Sequence, residues 1–135
     1  VNGAIDRFRE RLQSYPELVW REDGGVLEID APHVGGFPLS ISDFGDEYIV
    51  TLGDWHEHFE TAEDACECLI FGLIGPCRLE TVFRGTLPIK TTLQHLTPDG
   101  WVNNGTICLL IFPFWKKRRV VYYTNQIPAR GDEQL

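Results

Sequence analysis

The stretch Asp54–Cys77, DWHEHFETAEDACECLIFGLIGPC, decides how the rest of the chain is read. It opens as a strand over Trp55–Phe59, where His56 and His58 share one face because strand residues alternate sides. Thr61 is an N-cap whose hydroxyl can accept from a free N–H of the first turn. Asp64 falls three residues later, as in a capping box, and Glu63 and Asp64 suit the positive end of the helix dipole. Ala62, Ala65, Cys66, Leu69, Ile70 and Leu73 then recur at helical spacing, with Glu63, Asp64 and Glu67 facing away. Phe71 and Ile74 lie off that stripe, so the helix is expected to be covered on more than one side. Gly75-Pro76 is the stop, with Gly75 expected in a left-handed cap.

Upstream, Ala4–Ser14 places Ile5, Phe8 and Leu12 on one helical face, and Tyr15-Pro16 ends it. Leu18–Arg21 and Val26–Asp30 flank Asp23-Gly24-Gly25, a hairpin signal. Phe37, Leu39 and Ile41 alternate with small or polar residues, Gly45-Asp46 turns the chain, and Tyr48–Leu52 returns. Gly53 is expected to mark a bulge or bend before Trp55.

Downstream, Arg78–Arg84 alternates, with Leu79, Thr81 and Phe83 on one side. Leu87–Leu96 is a further strand, its start pushed toward an edge by Pro88. Pro98-Asp99-Gly100 and Asn103-Asn104-Gly105 read as turns. Ile107–Phe114, apolar on both faces, is expected to be a strand covered on both sides, with Lys116–Arg119 as the hairpin loop returning to Val120–Thr124. Beyond Pro128 the tail is polar and loosely specified, and its Arg130-Gly131-Asp132 is read as chance.

The order is helix, strands, helix, strands, joined by turn-like connections. That predicts an α+β chain over residues 1–135 as one domain: a mainly antiparallel sheet with an N-terminal helix and one central amphipathic helix packed on it. No βαβ alternation, phosphate loop or internal repeat is present, so no nucleotide cofactor is expected. With 43% hydrophobic and 12% aromatic residues the chain can bury a core. No apolar run reaches the ~20 residues of a membrane span, and no signal-type apolar region opens the chain. The four Cys are therefore expected as reduced thiols in a cytoplasmic protein.

Charge is distributed unevenly. Glu22 through Cys77 holds thirteen Asp or Glu and no Lys or Arg, within a net charge of −8. A block of this sign repels nucleic acid and anionic membrane and attracts basic surfaces, so neither nucleic acid nor membrane is expected as a partner. The basic run Lys116–Arg119, beside Trp115, Tyr122 and Tyr123, is read as a solubilising loop.

Three functions follow as expectations. The first is a non-enzymatic binding protein, of the immunity or inhibitor type, that meets a basic protein partner. Its charged rim would be Asp54, Glu57, Glu60, Glu63, Asp64 and Glu67, with Trp55 and Phe59 as aromatic anchors if exposed. The size and charge are those of small acidic bacterial proteins, some of which neutralise toxins, although no motif marks a family. The second is a metal-dependent or thiol enzyme centred on His56 and His58 with a nearby Cys. Cys66 and Cys68 lie roughly 200° apart on the helix and cannot chelate together, so no metal site is assigned. Carboxylate pairs such as Asp54 with Glu57 or Glu60 suit acid–base work, but a block this acidic produces pairs by chance. The third is a structural or oligomeric protein.

Overall fold

The computed structural model describes residues 3–109 and 111–128. The polar tail and its Arg130-Gly131-Asp132 lie outside the described residues. The elements run α1 (Ala4–Leu12), β1 (Trp20–Asp23), β2 (Val26–Ile29), β3 (Leu39–Asp43), β4 (Tyr48–Leu52), β5 (Trp55–Phe59), α2 (Ala62–Ile74), β6 (Cys77–Arg84), β7 (Leu87–Thr97), β8 (Gly100–Cys108) and β9 (Arg118–Tyr123). The fold is α+β and mostly antiparallel sheet, with a five-stranded sheet in the order β1-β2-β3-β4-β5 and a four-stranded sheet in the order β8-β7-β6-β9.

The first sheet is a meander set by tight turns. Gly24 and Gly25 both take positive φ, 55° and 84°, between the paired Asp23 and Val26, as the mirror-image hairpin turns require. Gly53-Asp54 is likewise a two-residue hairpin turn between the paired Leu52 and Trp55, not a bulge, and Gly53 carries φ 59°. Leu18 is buried ahead of β1, so that strand starts two residues later than expected. Leu27, Ile29, Leu39, Ile41, Val50, Leu52 and Trp55 form the inner face, and all are buried with both helices against them. The opposite face carries the row Arg21, Glu28, Ser40, Thr51 and His56, with Ser42, Ile49 and His58 in the next row.

α1 buries Ala4, Ile5, Phe8 and Leu12 and stops two residues short of Ser14. α2 begins as its cap dictates: Thr61 Oγ1 accepts from the Asp64 N–H at 3.1 Å. Ala65, Cys66, Leu69, Ile70 and Leu73 are buried, while Ala62, Phe71 and Ile74 are half-buried against the same core. Gly75 ends the helix in extended backbone, φ −74° and ψ 165°, and not in a left-handed cap. Glycine is required there for closeness: a Cβ would stand 2.5 Å from the Phe71 carbonyl oxygen.

The second sheet departs from expectation in three places. Asn103-Asn104-Gly105 stays within β8 as a bulge opposite Thr92–Gln94, with Gly105 at φ 130° absorbing the irregularity. The alternation of β6 slips at Val82/Phe83, so Val82 is buried and Phe83 only half-buried. The expected strand Ile107–Phe114 ends at Cys108, and Leu109, Ile111 and Phe114 are exposed. Its partner strand runs out. The Leu109 N–H bonds to the Ile89 carbonyl at 2.8 Å, and β7 extends only two residues further, through Pro88. Pro113 has no N–H to continue a ladder.

The chain then rounds the β6–β7 hairpin at Gly85, whose N–H bonds to the Lys117 carbonyl at 2.9 Å. It reaches the free edge of β6 as β9 instead of pairing back on β8. β7 is thus an interior strand despite Pro88, which sits at its start where little pairing is lost. Cys77, Leu79 and Leu93 carry the core into this sheet. The segment after β9 returns across the molecule: the Thr124 N–H bonds to the Gly35 carbonyl, Thr124 Oγ1 to the Cys77 carbonyl, and the Ile127 N–H to the Leu73 carbonyl.

Candidate protein-binding site

β5 is an edge strand of the first sheet, and α2 starts three residues beyond it. This geometry places several expected rim residues together. Glu57 lies on the β5 edge, Glu60 in the connection, and Glu63, Asp64 and Glu67 on the solvent side of the first turns of α2; all five are exposed. Asp64 and Glu67, and Glu63 and Glu67, are neighbours at helical spacing. Asp54 is exposed too, but it sits in the hairpin turn at the other end of β5 from Glu60.

The two expected aromatic anchors differ in exposure. Trp55 is only 3% exposed, because it shares the inner face with Leu52, and its Nε1–H donates to the Gly105 carbonyl at 3.2 Å. Phe59 is half-buried opposite Tyr48. The anchor role expected of Trp55 is therefore withdrawn: its side chain joins the two sheets.

The acidic block divides. Glu22 pairs with Arg9 at 2.6 Å, and Glu28 and Asp30 pair with Arg21 at 2.8 and 2.9 Å, all near the β1 edge. That edge lies four strand spacings from β5, about 19 Å. On the β5–α2 side, Glu63 has only a 3.8 Å approach from Arg7. Among the described residues Glu57, Glu60, Asp64 and Glu67 have no cation within ion-pair distance, and none of the block is paired with Arg78, Arg84 or the Lys116–Arg119 run. Among the described residues Asp23, Asp43, Asp46 and Asp54 have no ion pair either, so the rim, about one strand and two helical turns long, is where four unpaired acids fall on adjoining elements and not the whole of the unpaired charge.

His56 and His58 do share a face, with ring centroids 5.9 Å apart, and His58 Nδ1 lies 2.6 Å from Glu47 Oε1. That is the outer face of the sheet, whereas α2 and its Cys66 and Cys68 lie against the inner one. Among the described residues no three His, Cys, Asp or Glu converge as a metal site would require. The thiols are also poorly set for nucleophilic work. Burial pushes Cys68 up to about 12, aided by the negative charge of Glu57, and burial alone pushes Cys77 up to about 12. Burial raises Cys66 as well, and its Sγ lies 3.5 Å from the Ala4 carbonyl. A thiolate is the reactive species, so these are structural thiols.

Sequence reasoning missed a second constellation. On the outer face of the four-stranded sheet the Arg78 guanidinium lies between Trp101 and Tyr122, 4.0 Å from each ring centroid. Its Nε–H donates to Gln94 Oε1 at 2.8 Å, and Gln94 passes a bond to Asn103 at 2.8 Å. Tyr122 donates to Glu80 at 3.1 Å. The polar alternation of Arg78 and Glu80 with Thr92 and Gln94 hinted at this face. Knowing that Trp101 and Tyr122 flank Arg78 required the register of β8 and β9.

Among the described residues no helix is long and apolar enough to cross a membrane. In comparisons with known proteins, no family, no curated protein and no solved structure matches this chain.

Proposed function

We infer that the chain is a cytoplasmic, non-enzymatic binding protein that presents the β5–α2 rim to a basic protein partner, in the manner of an immunity or inhibitor protein. The observation that supports this reading is the set of exposed, unpaired carboxylates Glu57, Glu60, Asp64 and Glu67 on two adjoining elements. Asp64 suits the positive end of the α2 dipole, but neither β5 nor α2 has such a use for Glu57, Glu60 or Glu67. Unpaired like charges on one rim repel one another, and a cationic surface relieves the repulsion while speeding encounter. The half-buried Phe59 supplies an apolar centre between the acids. The partner would carry Lys or Arg over a matching patch. The experiment is capture from the native host with wild-type protein and with a Glu57→Lys/Glu60→Lys/Asp64→Lys variant. A basic protein retained by the first and lost by the second supports the reading, and equal retention by both removes it.

A further inference from the structure

The far end of the four-stranded sheet has the opposite character. Arg84 and Arg118 are direct partners across the β6–β9 ladder, an arrangement of like charges that is unfavourable by itself. Lys116, Lys117 and Arg119 adjoin them, and among the described residues none of these five cations has a carboxylate within ion-pair distance. Arg84 Nε is buried with no hydrogen-bond partner, and Arg84 Nη1 reaches only the Lys116 carbonyl at 3.4 Å.

The same end exposes hydrocarbon. Ile111 is 91% exposed, Trp115 73% and Phe114 69%, and together with Phe112 and Pro113 they line a shallow open hollow. Such a patch is not a usual resting surface for a lone chain. It stands beyond the end of β6, some seven residues or about 23 Å from Cys77 and the helix end. The molecule thus carries a cationic, apolar tip as well as an acidic rim.

We propose that this tip is a peripheral docking site for an anionic phospholipid surface. Ile111, Phe114 and Trp115 enter the headgroup region, while Lys116, Lys117 and the facing Arg84 and Arg118 meet lipid phosphates and carboxylates. Apolar and cationic residues side by side are the features that hold a protein in a bilayer interface. Two other occupants fit less well. A nucleic acid would use the cations and stack on Trp115, but it gives the aliphatic Ile111 nothing to bury against. A second copy could offer its acidic rim, yet that rim has only the half-buried Phe59 to set against three exposed apolar side chains. An anionic bilayer supplies both negative charge and hydrocarbon. The expectation of no membrane partner was drawn from the acidic block Glu22–Cys77, which does not include this end. At this end the sign is reversed.

The test uses the full chain with vesicles of phosphatidylcholine alone and of phosphatidylcholine mixed with phosphatidylserine, read by flotation. The expected result is binding to the mixed vesicles only, weakened by salt. Ile111→Ser/Trp115→Ser and Lys116→Ser/Lys117→Ser should each lower the affinity by about tenfold or more, with circular dichroism unchanged. Trp115→Ser alone serves should the double variant fold poorly. No binding to the mixed vesicles overturns the proposal, as does binding indifferent to Ile111 and Trp115. It is equally overturned if single-stranded RNA binds the tip more tightly than the vesicles do, or if the tip variants abolish a concentration-dependent dimer in the absence of lipid.

Discussion

Asn125 grips the backbone of Phe37 from both sides: its Oδ1 accepts from the Phe37 N–H at 2.8 Å and its Nδ2 donates to the Phe37 carbonyl at 3.0 Å. One side-chain amide thus imitates a neighbouring strand, although the residues stand 88 positions apart. Nδ2 also reaches the Gly72 carbonyl at 3.2 Å, and Asn125 is 2% exposed. Gly36 makes room, since a Cβ there would stand 2.6 Å from Asn125 Oδ1.

Asn125→Ala removes three hydrogen bonds and leaves buried backbone groups of Phe37 without partners. Each such loss costs about 1 kcal/mol or more, so we expect a loss of about 3 kcal/mol, read by urea unfolding. A loss under about 1 kcal/mol would show that water replaces the amide and that the grip is incidental.

Gly75 separates two reasons for a glycine. If left-handed backbone were the reason, Asn would be tolerated better than Ala. The extended backbone and the nearby Phe71 carbonyl predict that Gly75→Ala and Gly75→Asn destabilise alike, by about 2 kcal/mol, because the Cβ is at fault in both. A clearly milder Asn variant in thermal unfolding would refute this.

The fold also alters the titration of His33. Its Nδ1 faces the Val34 carbonyl at 3.0 Å and its Nε2 the Asn125 carbonyl at 2.8 Å, so both bonds need the doubly protonated ring. These two carbonyls raise its pKa above the ordinary value of 6.5, against a small effect of burial. A raised folded value stabilises fully below the unfolded pKa and loses that effect as pH rises through the folded one. Stability should therefore fall gently on going from mildly acidic to alkaline pH, and His33→Gln should flatten that part of the profile. An NMR titration placing His33 at or below 6.5 would count against it.

The thiols should react in a fixed order. Cys108 is exposed, whereas Cys66 and Cys77 are buried and Cys68 half-buried, and all four are free. With Cys68 and Cys77 pushed up to about 12, a thiol reagent at neutral pH should modify Cys108 first and the others only on unfolding. Mass spectrometry of briefly labelled native protein decides this, and early modification of Cys68 or Cys77 would contradict it.

Association with a basic partner should be rapid and salt-sensitive, because screening shortens from ~10 Å at 0.1 M to ~3 Å at 1 M. Reversal of Glu57, Glu60 and Glu63 should slow association while leaving the melting temperature within about 2 °C, as suits exposed sites. Stopped-flow rates at several salt concentrations check it; an unchanged rate would leave the rim as solubilising charge.

What could be read without coordinates was what neighbouring residues settle among themselves. Thr61, the apolar stripe to Leu73 and Gly75 mark α2 almost to the residue, and Gly24-Gly25 marks its hairpin. What could not be read depends on distant partners. Ile107–Phe114 has the composition of a buried strand, but a strand needs a ladder and β7 stops at Leu87. β9 pairs with β6, an assignment that no local pattern carries. For the site, the alternation His56, Glu57, His58 correctly put both imidazoles on one side and therefore Trp55 on the other. That the side of Trp55 was the inner one required knowing where α2 docks. The acids of the rim were legible as a block, but their division between Arg-paired and unpaired members depended on the position of Arg9 and Arg21.

The segment Thr124–Ile127 has a consequence for biosynthesis. It ties Gly35, Phe37, Gly72, Leu73 and Cys77 together, so the early sheet and α2 emerge from the ribosome well before the residues that close over them. At roughly 5–20 residues per second, the stretch from Cys77 to Ile127 takes roughly 3–10 s to make. During that interval the nascent chain carries β6 with the edge later taken by β9 still open. A chaperone that recognises unpaired strand edges would find its client in this window, and translation pauses within β8 would lengthen it.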